Sequence, residues 1–381
     1  MSVGAGEIPP VSAAAGEPRR DEEYYQASQW RLVWWRFSKH KVARFALGVL
    51  AAMYVIALFA EFFAPYGQSE RFEGNQDAPP TEIHFVHEGS FVGPYVYGRK
   101  RELSMKTLRH TYVEDTSKIH PVKFFGAGSS YKLWGLIETD RHVFTTGPDA
   151  PPAMVFGADR LGRDILSRII YGSRISLTIG LVGVTIGFFL GVTLGAVSGY
   201  FGGIADTVIQ RMVEFILALP TIPLWMALSA ALPRDWSVIR TYFFITIILS
   251  FVSWSGLARE VRGKLLALRE EDFVTSARIA GASRSRIMLV HLIPSFTSHL
   301  IVVITLSVPA MILGETALSF LGLGMQPPAV SWGTLLQDAQ NVVSVAQHPW
   351  QLIPALPVIL VVLMFNFLGD GLRDAADPYA T

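Results

Sequence analysis

The stretch FVTSARIAG, residues 273–281, lies at the centre of a basic segment, Arg259–Pro294, that separates two long apolar runs. Its apolar and small residues recur at the spacing of one face of a helix. Gly281 is expected to end that helix, because glycine adopts a left-handed conformation without a Cβ penalty. A second short turn, Arg284–Leu292, should follow, and Pro294 should stop it before the next apolar run. The pattern predicts a helix–turn–helix at a membrane face, suited to insertion into a partner protein.

The composition is that of a membrane protein. Hydrophobic residues make up 51% of the chain and charged residues 17%, and the mean hydropathy is +0.36. A soluble domain of this length would struggle to keep so much apolar surface away from water. The chain has no cysteine, which excludes disulfides, thiolate metal sites and cysteine nucleophiles. The net charge of +1 indicates no class of partner.

Long apolar segments predict an all-α polytopic membrane protein with six transmembrane helices. Each segment has roughly the 20 residues that a helix needs to cross a hydrocarbon core about 30 Å thick. The predicted spans are 44–64, 173–199, 206–231, 241–259, 295–319 and 351–369. No small-residue cleavage site follows a short apolar core near the first span, so we interpret that span as an uncleaved anchor.

Basic residues predict the orientation of the spans. They cluster before the first span and again between the fourth and fifth spans, and such clusters are typical of cytoplasmic segments. The two clusters are Arg31, Arg36, Lys39, Lys41 and Arg44, then Arg259, Arg262, Lys264, Arg269, Arg278, Arg284 and Arg286. An even number of spans separates them, so both segments and both termini are expected to be cytoplasmic. The basic residues between 67 and 172 do not oppose this, since long loops translocate largely regardless of charge.

The same features divide the chain into regions. Residues 1–28 lack periodicity and are predicted to be disordered. Tryptophans mixed with arginines predict an interfacial helix over 29–43, before a first transmembrane helix at 44–66. Residues 67–172 are too long for an idle connection and alternate in places, which predicts a β-rich extracytoplasmic insertion. Residues 173–381 would form a five-helix core that carries the coupling loop, 259–294.

Glycines and ionisable residues within the predicted spans are the remaining candidates for function. Gly183, Gly187, Gly191 and Gly195 recur every four residues, which favours close helix packing over a role in gating. The polar candidates are Asp206, Arg211, Glu214 and Glu315. The first three predict an ion network at the start of the third span, either a structural pair or a proton relay. Glu315 is the better candidate for contact with a substrate, because a buried carboxylate is costly.

The sequence lacks the residue patterns of the common catalytic sites. Gly263-Lys264 lacks both the upstream glycine and the Ser or Thr of a phosphate-binding loop. His84 and His87 are three residues apart on a probable strand, which predicts opposite faces and no metal site. No catalytic residue, metal, cofactor or nucleic-acid partner is therefore predicted for this chain.

Several motifs of the sequence resemble those of a known family. Ser276-Ala277, Gly281 and Ile293-Pro294 are similar to the EAA loop of permease subunits of bacterial ABC importers, with Thr275 in place of the glutamate. Further blocks resemble the dipeptide/oligopeptide permease group within that family. These blocks are 157–174, 200–206, 314–324, 331–333 and 366–374.

The resemblance implies a multi-pass subunit of the bacterial inner membrane that works within a larger machine. A second homologous permease, cytoplasmic ATP-binding subunits and an extracytoplasmic solute-binding protein would be its partners, besides the lipid bilayer. ATP hydrolysis would take place on the partner subunits. The implied coupling residues are Phe273, Ser276, Ala277, Gly281 and Pro294. The solute is expected to be an oligopeptide, although members also carry nickel or oligosaccharides. The alternative function is a stand-alone secondary transporter or channel.

Overall fold

Long helices dominate the computed structural model, which describes residues 29–105, 109–233 and 235–376. The helices are α1 Gln29–Lys39, α2 Lys41–Leu58, α3 Ala60–Phe63, α4 Ile165–Phe201, α5 Gly203–Ala218, α6 Thr221–Ala230, α7 Val238–Leu268, α8 Asp272–Ile279, α9 Arg284–Arg286, α10 Ile293–Ser295, α11 Thr297–Phe320, α12 Trp332–Gln337, α13 Val342–Gln347 and α14 Ala355–Ala376. A π-helical turn, Ile287–Leu292, joins α9 to α10, and short 3-10 turns lie at Asp338–Gln340 and Pro349–Leu352. The predicted disordered tail, 1–28, lies outside the described residues.

In the described part of the chain, five helices are long and apolar enough to cross a membrane: α2, α4, α7, α11 and the segment Pro349–Ala376 that contains α14. The helices α5 and α6 meet this criterion only as a pair, which is bent by 92°. The sequence predicted one span over these residues, 206–231. The break has a local cause, because Pro220 has no amide hydrogen and its ring forces Leu219 into extended backbone, with φ −91° and ψ 138°.

Several predicted boundaries are also corrected by capping residues. The helix α4 begins at Ile165, within the predicted insertion, because the Asp164 side chain accepts a hydrogen bond of 2.7 Å from the Ser167 amide. Similarly, His40 caps α2 by accepting a hydrogen bond of 3.1 Å from the Ala43 amide, so the predicted interfacial helix, 29–43, ends at Lys39.

The predicted first transmembrane helix and the predicted coupling loop are each partly reassigned. The first span was predicted over 44–66, but α2 ends at Leu58 because Phe59 leaves helical geometry at φ −106° and ψ 37°. The coupling loop was predicted over 259–294, but α7 continues to Leu268, so its first residues belong to a spanning helix.

The main core lies where the spanning helices meet. It includes Leu50 of α2, Leu177 of α4, Leu249 of α7, Ile312 of α11 and Val361 of α14, all buried. Other apolar side chains of the same helices are exposed on the outer surface of the bundle. Such a surface is suited to contact with lipid. This core therefore joins both ends of the sequence around α4 and α7.

The segment between α3 and α4 carries antiparallel strands. The strands are β1 His84–His87, β2 Ser90–Ser104, β3 Arg109–Pro121, β4 Lys123–Phe124, β5 Ala127–Leu133, β6 Ile137–Arg141 and β7 Phe144–Thr145. They pair as a three-stranded sheet, β1-β2-β3, and as two ribbons, β4-β7 and β5-β6. His142 connects this region to the end of α3, since its ring nitrogens lie 2.6 Å from the Ala64 carbonyl and 2.9 Å from the Ser129 carbonyl.

The prediction that His84 and His87 lie on opposite faces of a strand is wrong. A β-bulge between His84 and Val86 shifts the alternation of side chains along β1. Both imidazoles consequently pack against one pair of tyrosines, with ring centroids 5.0 Å apart for His84 and Tyr97 and 5.9 Å apart for His87 and Tyr95.

Candidate docking site

The segment between α7 and α11, residues 269–296, is the candidate docking site and is called the docking loop below. Its helix α8 turns Val274 and Ala277 inward, where they pack with Ile287 and Leu292 from the second half of the loop. The same cluster includes residues of the neighbouring ends of α4 and α7, namely Ala196, Val261 and Leu265. The loop is thus held against the spanning helices by its own apolar core.

Gly281 forms the turn between the two halves of the docking loop. Its φ is +80°, in the left-handed region that glycine adopts without strain. The Gly281 amide donates to the Arg278 carbonyl and the Ala282 amide to the Ala277 carbonyl, both at 3.0 Å. This pair of bonds is a Schellman motif, which satisfies the last carbonyls of α8. A Cβ at Gly281 would meet nothing within 4 Å, so conformation rather than space requires glycine there.

The second half of the docking loop is helical but irregular. Ser283 begins it, since its hydroxyl accepts a hydrogen bond of 3.3 Å from the Arg286 amide. Pro294 does not end the helical turn, as had been predicted. It sits in the first turn of α10, where a missing amide hydrogen is tolerated, and the break comes at Phe296, with φ −122°.

The docking loop carries a set of exposed side chains, four of which are apolar. We call this set the docking crest and define it as Phe273, Ser276, Ile279, Leu289 and Val290. Ile279 is 83% exposed and Phe273 is 41% exposed. Arg278, Arg284 and Arg286 are exposed beside it. Exposed apolar side chains on a rigid, basic loop are typical of a surface that a protein partner covers.

The sequence pattern did not separate the crest from the buried side of α8. Ala277 was predicted as a coupling residue, but it is buried within the loop's own core. It supports the crest from below, because α8 is short and its apolar residues divide between two directions.

An ion pair connects the last turns of α7, just before the docking loop, to α5. The Arg262 guanidinium donates to both carboxylate oxygens of Asp206, at 2.6 Å from Nε and 2.7 Å from Nη2. The Ser198 hydroxyl, near the end of α4, also donates to Asp206. Three helices, α4, α5 and α7, therefore meet at one carboxylate.

The predicted network of Asp206, Arg211 and Glu214 is wrong in part. Arg211 does pair with Glu214, at 2.8 Å, but both side chains are largely exposed, at 78% and 53%. Asp206 turns the other way and binds Arg262, because its position at the start of α5 faces α7. Arg262 was missed as a partner, although it and Asp206 both fall near predicted span ends on one side of the membrane.

Two family models match the sequence. Residues 191–380 match the binding-protein-dependent transport system inner membrane component, and residues 28–80 match the N-terminal TM domain of oligopeptide transport permease C. The dipeptide transport system permease protein DppC of Lactococcus lactis subsp. cremoris is 32% identical over 357 residues, which are 91% of this chain and 90% of that protein. This chain belongs to the dipeptide/oligopeptide permease family of ABC importers.

Other permeases of the family are similar in the same way. The oligopeptide transport system permease protein OppC of Haemophilus influenzae is 40% identical over 63% of this chain and 75% of that protein. The OppC of Bacillus subtilis is 28% identical over 97% of this chain and 95% of that protein. Among solved structures, inward facing conformations of the MetNI methionine ABC transporter match 56% of this chain and 98% of that chain, with 16% identity and a TM-score of 0.42.

In this permease, the glycine stripe is where α4 touches α7 and α11. A Cβ at Gly187 would lie 2.6 Å from the Ser253 hydroxyl, and one at Gly195 would lie 2.5 Å from the Ala258 carbonyl oxygen. At Gly191 it would lie 2.9 Å from Leu257, and at Gly183 it would lie 3.0 Å from Met311. The stripe brings α4 and α7 into close contact along the C-terminal half of α4, whose end packs against the docking loop.

Glu315 is fully buried in this permease and sits among hydroxyl groups. Ser176 of α4 and Ser319 of α11 donate to its two carboxylate oxygens, at 3.2 and 2.8 Å. The Ser176 oxygen in turn accepts from the Trp332 amide of α12, at 3.1 Å. The carboxylate therefore ties three elements together, and in this conformation none of its surface is open to a solute.

A buried ion network at the start of α4 was not predicted from the sequence. Asp159 binds the Arg163 and Arg168 guanidinium groups at 2.7 and 2.5 Å. It also accepts hydrogen bonds from the Leu161 and Arg163 amides, at 2.8 and 3.0 Å. The acid and the two arginines recur close together in the sequence, but only the turn at Gly162, with φ +73°, brings them to one point. The network fixes the entry of the chain into α4.

Proposed function

We propose that this permease carries peptides, delivered by an extracytoplasmic solute-binding protein, across the bacterial cytoplasmic membrane. The similarity to dipeptide and oligopeptide permeases along nearly the whole chain supports the choice of solute. A second homologous permease and cytoplasmic ATP-binding subunits would complete the importer. This chain would bind no cofactor and would hydrolyse no ATP itself.

One observation carries the proposed contact with an ATP-binding subunit, namely the exposed docking crest on a loop with its own buried core. Ile279, Phe273 and Leu289 face outward while Val274 and Ala277 anchor the loop. A motion of the ATP-binding subunit would reach the spanning helices, because the loop is packed onto α4 and α7. Gly281 and Pro294 would shape the loop, and Ser276 would lie in the contact.

Mutation of the crest tests this contact. Ile279→Asp places a charge in the proposed interface and should abolish co-purification of the ATP-binding subunit and peptide uptake. Leu136→Asp is the matched control. Leu136 is 82% exposed, as Ile279 is, but it lies between β5 and β6 and outside the docking loop. Complexes of the Ile279→Asp variant that retain the ATP-binding subunit would refute the proposed contact.

The proposed orientation puts the docking loop and both termini in the cytoplasm and the strand region outside. The basic bias of the sequence supports it. The chain has no cysteine, so single introduced cysteines report the topology cleanly. A cysteine at position 110 should react with an impermeant reagent in intact cells, whereas one at position 284 should react only after permeabilisation. The reverse result would overturn this orientation.

The alternative, a stand-alone secondary transporter, predicts a different outcome in liposomes. The purified permease alone would then drive uptake from an ion gradient. We expect uptake only when the solute-binding protein, the ATP-binding subunits, the second permease and ATP are also present.

A further inference from the structure

We propose that Glu82, His84 and Glu114 form a binding site for a divalent transition-metal cation of the Zn²⁺ class. One ligand atom from each of the three side chains lies within 4.8 Å of the other two. Zinc is bound in proteins by imidazole nitrogen and carboxylate oxygen at about 2.0–2.2 Å, which places neighbouring ligand atoms about 3.4 Å apart in a tetrahedral site. Glu82 is exposed, and its side chain would have to rotate to close that gap.

The central observation is the state of the His84 imidazole. Its Nε2 atom is shielded from solvent and makes no hydrogen bond. The nearest carboxylate oxygen, Oε2 of Glu114, lies 3.3 Å away, within ion-pair distance but without the geometry of a hydrogen bond. A buried ring nitrogen without a hydrogen-bond partner is costly in a folded protein. A cation between His84 and Glu114 would satisfy both groups at once.

The tyrosines beneath the imidazole fix its direction. The His84 ring packs on Tyr95 and Tyr97, with ring centroids 5.6 and 5.0 Å away. The Tyr95 hydroxyl donates to the Val86 carbonyl at 2.8 Å and lies 3.2 Å from the Tyr97 hydroxyl. A ligand whose ring is held by packing loses little entropy on binding a metal, which is how supporting residues raise affinity.

Among the described residues, the Glu114 carboxylate forms an ion pair with His84, and the Arg99 guanidinium acts on it electrostatically from a greater distance. Arg99 stands opposite Glu114 in the sheet, but its guanidinium donates to the Pro79 carbonyl at 2.5 Å and lies over the Tyr112 ring. By contrast, the adjacent Asp115 is paired with Lys100 at 2.7 Å. The two consecutive acids thus face different environments, one with a lysine and one with a histidine.

A bound cation would connect the two edges of the sheet. His84 belongs to β1 and Glu114 to β3, and both strands pair with β2, which lies between them. Glu82 lies just before β1, two residues from His84, whereas Glu114 is 30 residues further along the chain. That separation explains why the spacing of His84 and His87 alone predicted no metal site.

Zinc titration of the purified full-length permease tests the proposal. The protein is prepared in detergent without a histidine tag, stripped with a chelator, and titrated with ZnCl₂ by calorimetry. We expect one binding site per chain, weakened at least about tenfold by Glu82→Gln or Glu114→Gln and lost in His84→Ala. The glutamine variants keep the side-chain shape, so they report on the ligands even where His84→Ala disturbs the sheet.

His110→Ala is the matched control, because His110 lies on the same strand as Glu114 but outside the cluster. It should bind zinc as the unaltered protein does. The proposal is overturned if the unaltered protein binds no zinc at micromolar concentrations. It is also overturned if both glutamine variants bind like the unaltered protein, or if His110→Ala weakens binding as much as they do, which would mark adventitious binding only.

Discussion

Arg262 of α7 donates two hydrogen bonds, of 2.6 and 2.7 Å, to the carboxylate of Asp206 of α5. Arg262 lies about two helical turns before the end of α7, where the docking loop begins. Paired guanidinium and carboxylate groups of this geometry fix both distance and direction. We therefore expect a displacement of the docking loop to reach α5, and through α5 the sharp bend before α6.

Arg262→Ala should loosen this connection. Removing one partner from a partly buried ion pair is expected to cost about 1–2 kcal/mol, because Asp206 loses both charge-assisted bonds. Thermal unfolding in detergent measures the loss, and ATP hydrolysis stimulated by the binding protein measures coupling in the assembled importer. Arg211→Ala is the control, since its pair with Glu214 is exposed and should contribute little. Equal effects of the two variants would remove Arg262 from the coupling path.

The features that depend on local chemistry were predicted well from the sequence. Apolar length located the five long spanning helices, and the glycine at position 281 located the turn of the docking loop. Both follow from the preferences of single residues or of one helix, which neighbours in space do not alter.

The features that depend on contacts between distant residues were missed. The partner of Asp206 lies on another helix, and the cluster of Glu82, His84 and Glu114 exists only because β2 pairs with both of its neighbours. A β-bulge reversed the expected faces of His84 and His87. The bend at Pro220 was predictable in principle from proline chemistry, but an apolar run hid it.

Gly281→Val should uncouple the importer. A β-branched residue at φ +80° is strained by at least about 1 kcal/mol, although the surrounding space is open. The strain would distort the Schellman turn and rotate the docking crest, while the spanning helices stay folded. Reconstituted complexes should show reduced stimulated ATP hydrolysis and reduced uptake.

Gly263→Ala provides the control for that experiment. Gly263 also faces open space but lies within α7 and has ordinary helical backbone, so alanine should be tolerated or slightly stabilising. Normal coupling in Gly281→Val complexes would show that the left-handed turn does not position the crest.

Asp164 predicts a pH dependence of stability outside the spanning helices. Burial raises the pKa of Asp164 from its ordinary value near 3.8 to about 6. The folded state thus retains a proton that the unfolded state has lost, and this contribution to stability is present below about pH 3.8 and disappears as pH rises through 6. Above that range the buried charge destabilises the fold.

Asp164→Asn should therefore raise stability at pH 8 relative to the unaltered protein, by on the order of 1–2 kcal/mol, and by less at pH 5. The amide oxygen can still accept the hydrogen bond from Ser167 that begins α4. Thermal unfolding at the two pH values provides the measurement. Asp149→Asn, at an exposed acid of the same region, should change stability equally at both. An effect of the same size and sign for Asp164→Asn at pH 5 and pH 8 would contradict the raised pKa of Asp164.

Gly195→Ala should separate α4 from α7. The added methyl group would lie 2.5 Å from the Ala258 carbonyl oxygen and 2.9 Å from Val261, and backbone cannot yield as a flexible side chain does. Overpacking at such a contact is expected to cost about 1–3 kcal/mol. Gly48→Ala is the matched control, since a methyl group there meets nothing within 4 Å and alanine favours a helix. The temperature of thermal unfolding should therefore fall for Gly195→Ala and rise or stay the same for Gly48→Ala.

Gly195→Ala should also affect coupling, because Gly195 lies on the half of α4 that packs against the docking loop. This variant should lower stimulated ATP hydrolysis, while Gly48→Ala leaves it unchanged. A Gly195→Ala permease as stable and as active as Gly48→Ala would show that α4 and α7 do not pack as closely as described.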